Sequence, residues 1–150
     1  MHPITLAIRR LALTATVTMM LTGAAAAVTF RISDQGDALS MDPHSLNESL
    51  QLTFTGNVYE PLVARDKQLG LVPGLATSWK QTNPTTWRFE LRRGVKFHDG
   101  APFTADDVIF SYRRALSEGS DIKTNVGGIK EIRKISDHSI DIVTTAPFPI

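Results

Sequence analysis

Apolar and charged side chains alternate most regularly in one short stretch of the chain. Trp87, Phe89 and Leu91 are separated by single charged residues. Because successive side chains of a β-strand point to opposite faces, this pattern predicts a strand with one face in a core and the other in water, as on an antiparallel sheet. The alternation resumes at 95–97 after a break at 93–94, and we expect the strand to resume there.

Further strands are predicted towards both ends of the chain. Residues 28–33 alternate and are rich in β-branched side chains, which favours a strand. The apolar positions of 129–135 and 140–144 predict a closing hairpin, with its turn at the polar residues 136–139. A second turn is predicted at 82–84, where proline follows asparagine.

A helix is predicted to begin at Thr104. Thr104 and Asp107 have the spacing of a capping box, with Asp in place of the usual Glu. Asp106 and Asp107 also face the positive end of the helix dipole. The apolar stripe of this helix consists of Val108, Tyr112, Ala115 and Leu116.

An earlier helix is predicted to begin near residue 43. Pro43 suits the first position of a helix, and Ser45 and Glu48 have capping-box spacing. Apolar residues then recur every four positions, as on one face of a helix. They are Leu46, Leu50 and Phe54.

The first 27 residues have the order of a secretory signal peptide. The pair Arg9-Arg10 precedes an apolar stretch at 11–21, too short to span a bilayer, and alanines fill 24–27. We expect cleavage near the end of the alanine run. The residues after the arginine pair fit the twin-arginine pattern only loosely, so we expect the general secretory route.

The composition narrows the function classes. The 150 residues are 42% hydrophobic, with a net charge of +1 and no cysteine, which excludes disulfides, thiolate metal sites and a thiol nucleophile. Bacterial lipoproteins attach their lipid to cysteine, so we expect a free protein in a periplasm. The charge balance argues against a nucleic-acid binder, and it makes Arg92, Arg93 and Lys96 a solvated strand face rather than a basic patch.

Chemistry-bearing side chains are few and scattered. The four histidines have no metal-ligand spacing, and those after the first 27 residues are expected to lie in solvated turns. No nucleophile elbow or phosphate-binding loop is present, so we predict no catalytic residue, metal or cofactor. Two alternatives stay open. The adjacent Asp106 and Asp107 could serve a secreted hydrolase, and Trp79 and Trp87 could stack on a sugar in a small binding module. We favour structural roles for both pairs, as helix cap and core.

The stretch around the alternating strand also carries a family resemblance. Residues 87–100, WRFELRRGVKFHDG, resemble the signature of the family 5 bacterial extracellular solute-binding proteins, the binding components of ABC importers for dipeptides, oligopeptides and nickel. Shorter elements similar to that family's occur in order on both sides. They are Asp42-Pro43, YEPL at 59–62, PGLATSW at 73–79 and PFTADDV at 102–108.

The resemblance implies an α/β fold of the periplasmic-binding-protein type II, whose two lobes close on a solute. On this basis, residues 28–58 are expected to enter lobe I, and residues 59–150 to lie mostly in an attached α+β subdomain. Family members are several times longer than 150 residues. This sequence ends on apolar residues directly after a predicted strand, so we expect it to be the N-terminal portion of a larger protein.

The resemblance also implies a binding role and no enzymatic activity. Peptide is the expected solute, with nickel, haem, opines, glutathione and oligosaccharides as alternatives. The expected partners are a permease and ATPase complex at the inner membrane. No nucleic acid or cofactor is expected, and the protein would be a monomer.

Candidate residues follow from the resemblance and from one general rule. Clefts of α/β proteins open at the carboxyl ends of strands, so the ligand-facing candidates come directly after the first strand: Asp34, Gln35, Gly36 and Asp37. The signature residues have structural roles in the core strand, in turns, in hydrogen bonds around a turn, and as a helix cap. They are Trp87, Phe89, Leu91, Arg92, Gly94, Phe97, His98, Asp99, Gly100 and Asp107.

Overall fold

The computed structural model describes residues 29, 31, 33 and 36–148. The predicted signal peptide at 1–27 lies outside these residues, as do three of the six positions of the predicted strand at 28–33. Residues 35–150 form one compact unit of the chain. The helices and strands of this unit are α1 (Ser49–Thr55), β1 (Val63–Arg65), β2 (Leu71–Pro73), β3 (Ala76–Asn83), β4 (Thr86–Leu91), α2 (Ala105–Ala115), α3 (Lys123–Val126), β5 (Ile129–Ser136) and β6 (Ser139–Thr144).

Four of the strands form an antiparallel sheet in the order β3-β4-β6-β5. It consists of two hairpins, β3–β4 and β5–β6, and is completed by pairing of β4 with β6. Strands β3 and β5 are therefore the two edges. The β5–β6 turn falls where the sequence predicts it, whereas the β3–β4 turn lies at 84–85 and overlaps the predicted turn at 82–84 only at Pro84. β1 and β2 form a separate antiparallel hairpin. No helix among the described residues is long and apolar enough to cross a membrane.

The core lies on one face of this sheet and confirms the predicted alternation of β4. Phe89 and Leu91 are buried, Trp87 packs beside them, and Phe89 lies opposite Ile140 on β6. Ile140 is fully buried, and α2 covers this face with Val108. The mixed helix-and-sheet architecture with antiparallel strands agrees with the predicted α/β fold class.

The opposite face of the sheet is polar, as predicted for the charged positions of β4. The guanidinium of Arg88 donates two hydrogen bonds to Asp141 on β6, at 2.7 and 2.8 Å. These bonds raise the pKa of Arg88. Glu90 accepts a hydrogen bond from the hydroxyl of Ser139, at 3.0 Å. The residues between the core positions of β4 therefore pair across the strands.

Helix α2 begins with the predicted capping box. The Asp107 carboxylate accepts hydrogen bonds of 2.7 Å from the backbone N–H and 3.1 Å from the hydroxyl of Thr104. The two residues form a capping box, which fixes the start of the helix.

The structure of the turns at 93–100 confirms only part of what the sequence predicts. Gly94 and Gly100 have φ of 73° and 91°, a conformation that L side chains rarely adopt, and Asp99 accepts a hydrogen bond across the second turn. Two expectations are wrong. Residues 95–97 form no strand, since only Lys96 bridges to Pro102, and within residues 36–148 the His98 imidazole has no hydrogen-bond partner.

The predicted start of the first helix is wrong. α1 begins at Ser49, because Leu46 has a left-handed φ of 53° that no helix tolerates. The Ser45 hydroxyl donates to the carbonyl of Asp42 at 3.1 Å and does not cap Glu48. The buried face also differs, since it consists of Gln51 and Thr55, whereas Leu50 and Phe54 are half-buried.

Candidate functional site

Half of the predicted ligand-facing segment lies among the described residues. Gly36 and Asp37 are exposed and line an open depression of about 540 Å³ beside the first turn of α1. One carboxylate oxygen of Asp37 accepts a hydrogen bond of 2.8 Å from the backbone N–H of Ala38. Residues 34 and 35 lie outside the described part of the chain. The depression thus presents a carboxylate to solvent, and its role as a ligand site stays a prediction.

Three of the short family elements meet at one point in the structure. Arg92, which follows β4, donates hydrogen bonds of 2.9 and 2.6 Å to the carboxylate of Glu60. It also donates one of 3.1 Å to the carbonyl of Gly74. A Cβ atom at Gly74 would come within 2.4 Å of the Pro61 carbonyl oxygen, so only glycine permits this approach. Arg92 therefore joins the YEPL and PGLATSW elements and is not simply part of a solvated strand face.

A larger cavity of about 630 Å³ lies between α2 and the loops before β1 and after β4. Its wall is mainly apolar, and its polar residues include His44, Glu60, Lys96 and His98. Burial raises the pKa of Tyr112, which projects from α2 into the same wall. Sequence periodicity gives no sign of this cavity, because its walls come from elements far apart along the chain.

The Asp42-Pro43 turn is anchored to the C-terminal end of α2. Arg114 pairs with the Asp42 carboxylate through both terminal nitrogens, one of them at 2.6 Å. The Arg114 hydrogen bonds, followed by one from the backbone N–H of His44, hold the pKa of Asp42 well below its usual range. His44 is buried, and burial, with the nearby Arg114 charge, lowers the pKa of its imidazole. Sequence reasoning placed this histidine in a solvated turn, which is wrong.

The two sequence alternatives find little support in the geometry. Asp106 pairs with Lys134 at 2.6 Å, whereas Asp107 is bound to Thr104, so the two carboxylates do not act on a common point. Trp87 and Trp79 are half-buried against the core. The Trp87 indole N–H also donates to a backbone carbonyl at 3.1 Å. Among the described residues, no group of His, Asp and Glu side chains is close enough to hold a metal ion.

The structure gives the two acids of α2 different partners, so their substitution should have different effects on stability. Asp107→Asn is expected to lower the free energy of unfolding by about 1 kcal/mol, because the capping box weakens. Asp106→Asn removes an exposed ion pair and one charge near the helix N-terminus, and it is expected to lower the free energy of unfolding by about 0.5 kcal/mol. Urea unfolding followed by circular dichroism measures both values. An equal loss in the two variants would contradict the structural role assigned to Asp107.

Comparison with known families places the chain among solute-binding proteins. Residues 70–150 match the family described as "Bacterial extracellular solute-binding proteins, family 5 Middle". The chain is 26% identical over 129 residues to the periplasmic oligopeptide-binding protein OppA of Escherichia coli K12. This match covers 73% of the chain and 24% of that relative.

Solved structures agree. The structure of Burkholderia pseudomallei OppA matches with a TM-score of 0.69 and 28% identity, over 73% of this chain and 25% of that one. NikZ from Campylobacter jejuni, solved in complex with Ni(L-His), matches with a TM-score of 0.67 and 27% identity, over 76% of this chain and 23% of that one. The chain thus has the fold of these binding proteins over about a quarter of their length.

Proposed function

Since the chain belongs to the family 5 bacterial extracellular solute-binding proteins, we propose that it is the periplasmic solute-binding component of an ABC importer for peptides. The match over residues 70–150 carries this proposal, because it includes three of the ordered motifs of the sequence, at 73–79, 87–100 and 102–108. The relatives named OppA are described as periplasmic oligopeptide-binding proteins. Peptide is therefore the solute class that we propose, with a nickel complex as the alternative that NikZ represents.

In this proposal, residues 28–58 lead into lobe I and 59–150 form the subdomain attached to it. The packing of Arg92 against Glu60 and Gly74 supports such a subdomain, since it joins family elements into one structural unit. The binding protein performs no reaction. The lobes close on the solute by a hinge motion, and the closed protein docks, as a monomer, on a permease that a cytoplasmic ATPase drives. A signal peptide at 1–27, cleaved after general secretory export, brings the protein to the periplasm.

Ligand contact is assigned to the segment 34–37. Asp34 and Asp37 would each offer a carboxylate to the α-amino group or a basic side chain of a peptide. The exposure of Asp37 at the rim of an open depression supports this assignment. Hydrogen bonds to charged groups contribute about 1.5–3 kcal/mol each, which corresponds to roughly a tenfold change in affinity or more.

The proposal is tested by changes to the chromosomal gene in the bacterium that encodes the chain. Deletion of the gene is expected to lower uptake of radiolabelled trialanine. The double variant Asp34→Asn/Asp37→Asn is expected to weaken uptake at low peptide concentration about tenfold or more, since trialanine offers one α-amino group to the two carboxylates. Glu118→Gln, an exposed acid elsewhere, is the matched control and should leave uptake unchanged. Normal peptide uptake after deletion, with reduced ⁶³Ni²⁺ uptake, would replace the peptide assignment by the nickel alternative.

A further inference from the structure

A buried histidine lies in direct contact with a guanidinium in this structure. The His44 side chain is 8% exposed, and its Nδ1 atom is 2.8 Å from Nη1 of Arg114. A guanidinium carries only donors and keeps its charge at any pH a protein meets. The Nδ1 atom must therefore accept this hydrogen bond, which leaves the imidazole neutral with its proton on Nε2.

Protonation would reverse the chemistry of this contact. With a proton on Nδ1, the imidazolium and the guanidinium would be two cations that face each other with donors only. Both would compete for the single carboxylate of Asp42, which Arg114 binds through two nitrogens. Because Arg114 already binds both carboxylate oxygens, the repulsion is relieved only when the two cations move apart.

We propose that His44, Asp42 and Arg114 form an acid-sensitive latch, in which protonation of His44 releases residues 42–46 from the C-terminal end of α2. The latch does not depend on the proposed function. It rests on the burial and the contact of His44 with Arg114, both of which are properties of this chain alone.

The groups around His44 shift its pKa in opposite directions, and the net lowering supports a latch that is closed at neutral pH. Burial is the largest influence and, with the charge of Arg114, lowers the pKa of His44, whereas Asp42 raises it. Asp121, which precedes α3, binds residues 44–46 through its backbone N–H and its carboxylate. The other ionisable residues that line the cavity with His44 are Tyr59, Glu60, Lys96, His98, Asp107 and Tyr112. Of these, Glu60 is paired with Arg92 and Asp107 with Thr104.

The sign of the pH effect follows from this pKa. A histidine whose pKa is lowered in the closed form takes up a proton when the latch opens. The closed form therefore loses stability as the pH falls below the ordinary histidine pKa of about 6.5 and approaches the lowered value. Opening of the latch would break two hydrogen bonds that backbone N–H groups donate. One runs from Asp121 N–H to the His44 carbonyl at 3.0 Å, and the other from Leu46 N–H to the Asp121 carboxylate at 2.7 Å.

Hydrogen exchange of the full chain at pH 7 and pH 5, corrected for intrinsic rates, tests the latch. Protection of the Leu46 and Asp121 amides is expected to fall several-fold at pH 5. The Phe103 amide, bonded to the Val95 carbonyl at 3.0 Å, serves as an internal reference for global stability and should change less. Equal changes at all three amides, or no change, would overturn the latch.

Two variants and a direct measurement complete the experiment. His44→Asn keeps an acceptor near Arg114 but cannot be protonated, so its protection should not depend on pH in this range. His138→Asn removes a histidine from the β5–β6 turn and should behave as the parent chain does. A pH response in His44→Asn equal to that of the parent would overturn the proposal. If His44→Asn fails to fold, the imidazole ¹⁵N shifts of the parent decide, since a proton on Nδ1 at pH 7 would contradict the proposed contact.

Discussion

Phe89→Ala is expected to lower the free energy of unfolding by about 3–5 kcal/mol, the range measured for deleting a buried aromatic ring. Phe89 is 2% exposed, lies opposite Ile140 and belongs to the core cluster between the sheet and α2. Its loss leaves a cavity that a sheet paired on both sides of β4 cannot easily close. For a chain of this size, such a loss is a large part of the total stability.

Phe110→Ala is the matched control for this experiment. The same side chain is removed from α2, where it is 69% exposed, so the expected change is within about 0.5 kcal/mol. Urea denaturation followed by tryptophan fluorescence measures both variants. Similar losses in the two would show that Phe89 does not lie in the core that the structure describes.

Gly74→Ala is expected to lower the free energy of unfolding by roughly 2–3 kcal/mol, at the upper end of overpacking effects. The added methyl group would lie 2.4 Å from the carbonyl oxygen of Pro61 and 3.1 Å from that of Leu62. These are backbone atoms that cannot rotate away. Since Gly74 and Leu75 also donate backbone hydrogen bonds to residues 61 and 62, a shift to relieve the clash would break this pairing.

Gly128→Ala provides the comparison for Gly74→Ala. A Cβ atom at Gly128 would meet nothing within 4 Å, and its φ is not in the left-handed region. The expected change is therefore no more than about 0.5–1 kcal/mol, of either sign. Thermal unfolding of the two variants side by side gives the difference. A Gly74 variant as stable as the Gly128 variant would contradict the close approach of the two family elements.

The parts of the fold that sequence predicted are those set by neighbouring residues. The alternation of β4 and the capping box at Thr104 each depend on a few consecutive positions. The period of the apolar residues and the spacing of the capping residues were therefore sufficient to predict them. The β5–β6 hairpin was predicted for the same reason. The pairing of β4 with β6 could not be predicted in this way, because Arg88 and Asp141 are 53 residues apart and neither strand specifies its partner.

The errors have long-range causes. The conformation of Leu46, which delays the start of α1, is held by Asp121, 75 residues later. Arg92 looked like part of a charged strand face, yet its partner Glu60 lies 32 residues earlier. His44 looked like a turn residue and is buried against Arg114. In each case a distant side chain decides the environment, and no local pattern records it.

For the candidate site too, the sequence predicted what short motifs determine and missed what distant residues determine. The motif order was sufficient to indicate the family, and the match over residues 70–150 confirms it. The placement of ligand contacts at 34–37 rests on a general rule about strand ends and stays a prediction. The cavity beside α2 was not predicted, since its lining combines residues from 44 to 126.

The edge position of β5 bears on how copies of the protein behave at high concentration. An edge strand offers unpaired backbone groups that can recruit a strand from another molecule. Four of the eight residues of β5 are charged: Lys130, Glu131, Arg133 and Lys134. A second copy that added a strand here would have to desolvate these charges. The sheet thus carries, on this edge, its own protection against aggregation.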